Sequence, residues 1–185
     1  TQLPGSGGST PVVWDDAVFL TSANADNSAI FAVRIDAKTG KIVWSRKFSD
    51  EAMRDERTNT AGASAVTDGK LVYFFTGSGD LAAFDFDGNK TWDRNIEDDY
   101  GQFAMQWTFS STPQLVHDTL YLQVLQRNEP VNGYGNTDGP IDSYLLAMNP
   151  ATGKTKWKHV RENDAIMEAK DCLLYTSPSP RDRSS

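Results

Sequence analysis

Two histidines, one cysteine and a few acidic or glycine-rich clusters are the side chains and spacings that could do chemistry. His117 and His159 stand far apart with no HExxH around them, and Cys172 has no second cysteine, so neither a zinc-site spacing nor an internal disulfide is present. Asp85-Phe86-Asp87-Gly88 opens like a calcium loop, yet Ile96 occupies the twelfth position, where such a loop needs a bidentate Glu. Glu97, Asp98 and Asp99 make an acidic run beside Tyr100 that reads as a solvated loop in preference to a cation site. Gly77-Ser78-Gly79-Asp80 is glycine-rich but opens a strand and lacks the lysine of a phosphate-binding loop, so it reads as a turn. No GxSxG elbow occurs, and Asn89-Lys90-Thr91 is a lone sequon of the kind chance supplies. The sequence therefore assigns no catalytic, cofactor-binding or metal-ligating residue.

The composition narrows the partners. Of 185 residues, 38% are apolar and 11% aromatic, enough for a real core. Lys and Arg number 18 against 25 Asp and Glu, a net charge of −7 that offers no footprint for nucleic acid. The longest apolar run, Leu71 to Phe75, has the length of a strand and falls far short of the roughly 20 residues of a membrane span. Cys172 to Asp182 read CLLYTSPSPRD, which resembles the translation of a transposase sequencing adapter. Residues 172–185 are therefore expected to be a non-native tail, with the native sequence ending near Asp171. The chain opens at Thr1 without Met or an apolar leader, which reads as a start inside a longer protein.

The elements that position these residues come in three copies. PVVWDDAVFL at Pro11 to Leu20 and PQLVHDTLYL at Pro113 to Leu122 match at a constant offset of 102, and Ala65 to Phe75 (AVTDGKLVYFF) fits between them if one residue is inserted. Each is a polar turn between short β-branched and aromatic runs, the signal of a hairpin; His117 takes the turn place of Asp15. Downstream of each lies a second shared piece. It carries Asp36, Thr39, Gly40 and Trp44 in the first copy, Asp85, Gly88 and Trp92 in a shorter second, and Asn149, Thr152, Gly153 and Trp157 in the third. The Asx residue caps its own backbone, Gly takes a positive-φ corner, and the Trp follows four residues later in a strand. Two hairpins per copy give four strands, the content of one propeller blade. Ile96 to Phe109 and Arg127 to Asp142 read as inserted loops, and Glu51 to Arg57 (EAMRDER) as a similar excursion with room for one helical turn. Trp14 and Trp107 break the repeat, and Tyr100, Phe103, Trp107 and Tyr134 on the inserted loops form a candidate recognition loop.

Ala147-x-Asn149-x-x-Thr152-Gly153-x-x-x-Trp157 and the segment from Asp36 to Trp44 resemble the tryptophan-docking repeat of PQQ-like β-propellers. That superfamily includes quinoprotein alcohol dehydrogenases and the B lipoprotein of the outer-membrane protein assembly machinery. The resemblance spans Leu3 to Lys170 and implies an all-β propeller of four-stranded antiparallel blades. About three blades, residues 1–171, would be a fragment of a seven- or eight-bladed ring. It also implies a periplasmic, secreted or outer-membrane-associated place. The function expected is a binding or scaffold module of the bacterial cell envelope, contacting an envelope protein or a small-molecule ligand besides the remaining blades of the same chain. The alternative is part of a PQQ- and calcium-dependent dehydrogenase acting on alcohols or sugars. The resemblance ties that activity to a vicinal Cys pair, carboxylate and amide ligands for calcium and a catalytic Asp, none of which can be assigned in these residues.

Overall fold

A computed structural model describes residues 1–55, 58–105 and 107–162. The tail expected at 172–185 lies outside the described residues. Twelve of the strands form three four-stranded antiparallel sheets, each with its strands in sequence order. The first sheet holds β1 (Val12–Trp14), β2 (Ala17–Ala23), β3 (Ile30–Asp36) and β4 (Ile42–Ser49). A two-stranded hairpin of β5 (Met53–Asp55) and β6 (Thr58–Asn59) comes next. The second sheet holds β7 (Val66–Thr67), β8 (Leu71–Phe75), β9 (Asp80–Asp85) and β10 (Lys90–Asn95), followed by one short helix, α1 (Ile96–Tyr100). The third holds β11 (Gln114–Val116), β12 (Thr119–Val124), β13 (Tyr144–Met148) and β14 (Thr155–Val160). These are three propeller blades.

Blades stack because the middle strands are apolar on both faces and strand side chains alternate. Along β8, Val72 and Phe74 pack with Ala17, Phe19 and Trp44 of the first blade, whereas Tyr73 and Phe75 pack with Leu120, Leu122 and Leu146 of the third. Strand β9 divides likewise, Ala82 and Phe84 one way, Leu81 and Ala83 the other. The two cores are therefore seams between blades, and the two central strands of the middle blade are buried on both faces.

Each blade reverses at one end through the same turn. Asp36 Oδ1 accepts from the Thr39 amide and hydroxyl, both at 2.7 Å, and the Gly40 amide returns to the Asp36 carbonyl at 2.8 Å. Asn149 Oδ1 accepts from the Ala151 amide, and the Gly153 amide returns to the Asn149 carbonyl at 2.8 Å. In the shorter copy Asp85 Oδ1 takes the Asp87 and Asn89 amides. Gly40, Gly88 and Gly153 all sit at positive φ, +67°, +83° and +69°. Just before each Trp the outer strand slips by one residue against its neighbour. A bulge at the same place in every blade re-aims that side chain toward the next blade.

Three readings of the sequence are corrected. The middle copy needs no inserted residue: Val12 faces Phe19 and Val13 faces Val18 just as Val66 faces Tyr73 and Thr67 faces Val72, so the two hairpins correspond residue for residue. Glu51 to Asp55, the described part of that excursion, forms no helical turn. The backbone there pairs across a reversal, with Met53 opposite Asn59 and the Thr60 amide bonded to the Ala52 carbonyl at 2.9 Å, so its polar groups are satisfied between strands. Ile96 to Phe109 is not loop throughout. Asn95 caps α1 by accepting from the Glu97 and Asp98 amides at 2.8 and 3.2 Å, and Gly101, at φ +95°, ends it.

Two predictions come from the turns. A Cβ at Gly153 would stand 2.6 Å from the Trp92 ring, whereas at Gly40 it would meet nothing within 4 Å. Gly40→Ala should therefore cost only the positive-φ strain of about 1–2 kcal/mol, and Gly153→Ala a further ~1–3 kcal/mol of overpacking, read from urea unfolding. Equal losses would contradict the packing. The second concerns acid. The Asn89 amide side chain and then the backbone amides of the turn hold the Asp85 carboxyl below its ordinary pKa of 3.8, and the Thr39 hydroxyl and amide do the same for Asp36. A depressed folded-state pKa supplies stability that is complete above the ordinary value and is lost as pH falls through the lower one. Asp85→Asn, which keeps an acceptor as Asn149 does, should narrow the drop in urea midpoint between pH 6 and pH 2.5. An unchanged drop would place the acid sensitivity elsewhere.

Candidate functional site

The seam between blades is where the repeated residues converge. Trp44 Nε1 donates to the Phe86 carbonyl, and Trp92 Nε1 to the Pro150 carbonyl, both at 2.8 Å. The acceptor in each case is the residue after the Asx of the next blade's turn, and the ring lies on that turn's Gly. An aromatic residue of β2, β8 or β12 flanks the Trp in every blade, Phe19 at 6.1 Å, Tyr73 at 6.0 Å and Tyr121 at 5.9 Å between ring centroids. Two residues beyond the Trp comes a cation that sequence reading passed over. Arg46 Nε donates to the Gly88 carbonyl at 3.0 Å and Arg94 Nη1 to the Gly153 carbonyl at 2.6 Å. The spacing Trp-x-Arg in two of three copies was the available signal.

Antiparallel sheets put the Asx–Gly turns and the β1–β2, β7–β8 and β11–β12 turns at one end of the blades, and the β2–β3, β8–β9 and β12–β13 connections, with the blade-to-blade crossovers, at the other. Both long insertions belong to that second end. They fold on one another around Gln126, which is 3% exposed: its Oε1 accepts from the Ala104 amide at 3.0 Å, its Nε2 donates to the Asp142 carbonyl at 2.8 Å, and its own amide bonds Ser143 Oγ. Gly135, at φ +115°, lets the second insertion close on the first, since a Cβ there would stand 2.9 Å from that of Ala104. Val131 and Tyr134 exchange both backbone hydrogen bonds around Asn132-Gly133, at φ +52° and +84°. The Asn-Gly pair was legible as a two-residue hairpin, and Gln126 carried no local signal.

The four residues of the candidate recognition loop separate. Trp107 is 48% exposed on the first insertion, and Tyr134 is half-buried beside its Asn-Gly turn. Tyr100 anchors α1 to the third blade, its hydroxyl 2.6 Å from Thr155 Oγ1 and its ring beneath Arg94 and Lys158. Phe103 is 2% exposed and packs on Phe109 at 5.1 Å, so it faces the core and is closed to a partner.

The acidic clusters serve local structure. Glu97 Oε1 accepts from the Phe103 amide at 2.7 Å, and Asp99 Oδ2 takes both Nε and Nη2 of Arg94, at 2.9 and 2.6 Å. Gly77 to Asp80 is the β8–β9 turn, closed by the Thr76 amide on the Asp80 carbonyl. His117 stands at φ +52° in the β11–β12 turn, where Asp15 stands at +48° in the first blade. Among the described residues no three of His, Cys, Asp and Glu converge on a cation position.

The comparisons bear on the fold. Similar solved structures include a quinohemoprotein alcohol dehydrogenase from Comamonas testosteroni, with a TM-score of 0.54, 20% identity and cover of 85% of this chain and 21% of that one. Another, the quinohemoprotein alcohol dehydrogenase ADHIIG from Pseudomonas putida HK5, has a TM-score of 0.55 at 19% identity over 86% of this chain and 21% of that one. A europium-containing methanol dehydrogenase has a TM-score of 0.57 at 15% identity over 83% of this chain and 24% of that one. The chain thus spans about a fifth to a quarter of the length of these structures. No curated protein matches it by sequence. The family model described as outer membrane protein assembly factor BamB matches residues 1–116, more than half of the chain. With three Trp-bearing blades and that match, the chain belongs to the PQQ-like β-propeller family of outer membrane protein assembly factor BamB.

Proposed function

We propose that the chain is a binding or scaffold module of the bacterial cell envelope, forming consecutive blades of a larger PQQ-like propeller, with residues 1–171 as its native part. The observation that carries this reading is the pair of insertions at one end of the blades. They are tied to each other by the buried Gln126, and Trp107 projects from them 48% exposed. A rigid scaffold presenting an exposed aromatic on ordered loops is the usual form of a protein-recognition surface. The family is named for the assembly of outer membrane proteins, which supports an envelope protein as partner and an envelope location. No helix among the described residues is long and apolar enough to cross a membrane. In this reading the Asx–Gly–Trp residues, Asp36, Thr39, Gly40, Trp44, Asp85, Gly88, Trp92, Asn149, Thr152, Gly153 and Trp157, dock blades and take no part in chemistry.

The test is site-directed photocrosslinking in the propeller expressed in a bacterial envelope, with the reactive residue at 107 or, as a control on the opposite end, at 152. The expected result is a discrete adduct with an envelope protein from 107 and none from 152. Trp107→Ala should weaken the purified complex about tenfold or more. Adducts of equal strength from both positions, or stoichiometric binding of PQQ with calcium by the full propeller together with alcohol oxidation, would replace this reading with the dehydrogenase one.

A further inference from the structure

One pair of residues in the second insertion is set up to react with itself. Asn132-Gly133 is the single Asn-Gly pair in the sequence; every other asparagine is followed by a residue with a side chain. Both residues are exposed, and a Cβ built at Gly133 would meet nothing within 4 Å. The Gly133 amide is therefore open to solvent base, and no side chain shields it from the Asn132 carboxamide. Among the described residues neither that amide nor the Asn132 side chain makes a hydrogen bond. Other asparagines are held. Asn89 Nδ2 donates to Asp85 Oδ2 at 2.8 Å, Asn95 Nδ2 donates to the Ser78 carbonyl at 3.1 Å, and Asn149 is followed by Pro150, which has no N–H.

We propose that Asn132 is a site of self-modification, deamidating through its own backbone to isoaspartate and so releasing the hairpin that ties the second insertion to the first. The Gly133 nitrogen attacks Asn132 Cγ. A bond forms between them, the Cγ–Nδ2 bond breaks, and Nδ2 leaves as ammonia, taking up the proton that the Gly133 nitrogen gave to solvent. Water then opens the five-membered imide. Attack at Cγ leaves Asp. Attack at the main-chain carbonyl carbon of residue 132 breaks its bond to the Gly133 nitrogen and routes the chain through Cγ, one carbon longer and with a free carboxylate. Nothing is oxidised or reduced, and water is the co-reactant.

The added carbon matters because the turn has no slack. Val131 and Tyr134 exchange backbone bonds of 2.8 and 2.9 Å around two residues, both with left-handed backbone. The next residue, Gly135, donates to Gln102 Oε1 at 3.3 Å and lies against Ala104, both on the first insertion. A two-residue turn lengthened by one carbon no longer closes both bonds, so the hairpin opens and Gly135 loses its seat. The hairpin leans on the segment between the second and third blades, so the effect does not depend on either end of the chain. The turn also sets the pace. With residue 132 in the left-handed region the Gly133 nitrogen points away from the side chain, so the imide forms only while the Val131–Tyr134 pair is open.

The experiment is storage of the purified protein for several weeks at mildly alkaline pH, sampled by peptide mass mapping with an isoaspartate-specific label and by site-resolved hydrogen exchange. The expected result is conversion at 132 ahead of any other asparagine, mostly to isoaspartate. Exchange at the Val131 and Tyr134 amides should rise about tenfold or more in the converted chains. Asn132→Gly keeps a residue suited to the turn, removes the carboxamide and should abolish the conversion. Asn132→Asp, measured fresh, adds the charge without the carbon and should leave both amides as protected as in the unconverted protein. A residue 132 that stays asparagine, conversion to Asp alone, or isoaspartate formed with both amides still protected overturns the proposal.

Discussion

A tryptophan ring laid on a glycine of the next blade is the contact on which the rest of this structure depends. The ring needs a flat, side-chain-free surface and an acceptor for its indole N–H, and the Asx–Gly turn supplies both. Burying such a ring removes roughly 150–250 Å² from water, worth up to about 4–6 kcal/mol at ~25 cal/mol per Å². A seam with one of these and an apolar strand face on each side is enough to explain why sheets without long-range strand pairing between them stay together. The bulge before each Trp belongs to the same device, since without it the alternation of the strand would not be free to aim the ring across the seam.

The blade-docking turns and the long insertions are separated by topology. The docking turns occupy one end of every blade, and the two long insertions lie at the other. There the chain spends buried polar side chains on holding loops still. Gln126 satisfies backbone groups of both insertions, Asn95 caps the helix that starts the first, and Arg94 joins Asp99 of that helix to the turn of the third blade. In the binding role proposed above, loops held in this way would present Trp107 without the entropy cost of ordering them on binding.

Much of this was legible in the sequence because it is local. The Asx, Gly and Trp positions recur at fixed spacing, and each turn is made by residues within five of one another, so the three-blade architecture could be read directly. The bulge hid behind regular alternation, and the Arg at Trp plus two drew no notice because its partner carbonyl lies 42 or 59 positions away. Glu51 to Arg57 read as an excursion with room for one helical turn because Glu, Met and Arg favour helices in isolation; in its described part the pairing of Met53 with Asn59 and of Asp55 with Thr58 overrides that propensity. Phe103 looked like a surface aromatic because it sits among Gly, Gln and Met, and only the closing of one insertion over the other put it inside. What chemistry a site might do was least legible, since the carboxylates that looked available are consumed by amides and an arginine.

The most direct measurement of the central contact is a double-mutant cycle between Trp92→Ala and Gly153→Ala, followed by urea unfolding. If the ring lies on the glycine, removing it relieves the clash, and Gly153→Ala in the Trp92→Ala background falls to the bare positive-φ cost, giving a coupling of about 1–3 kcal/mol. Strict additivity of the two substitutions would contradict the account, because it would mean that the tryptophan of one blade and the turn of the next do not meet.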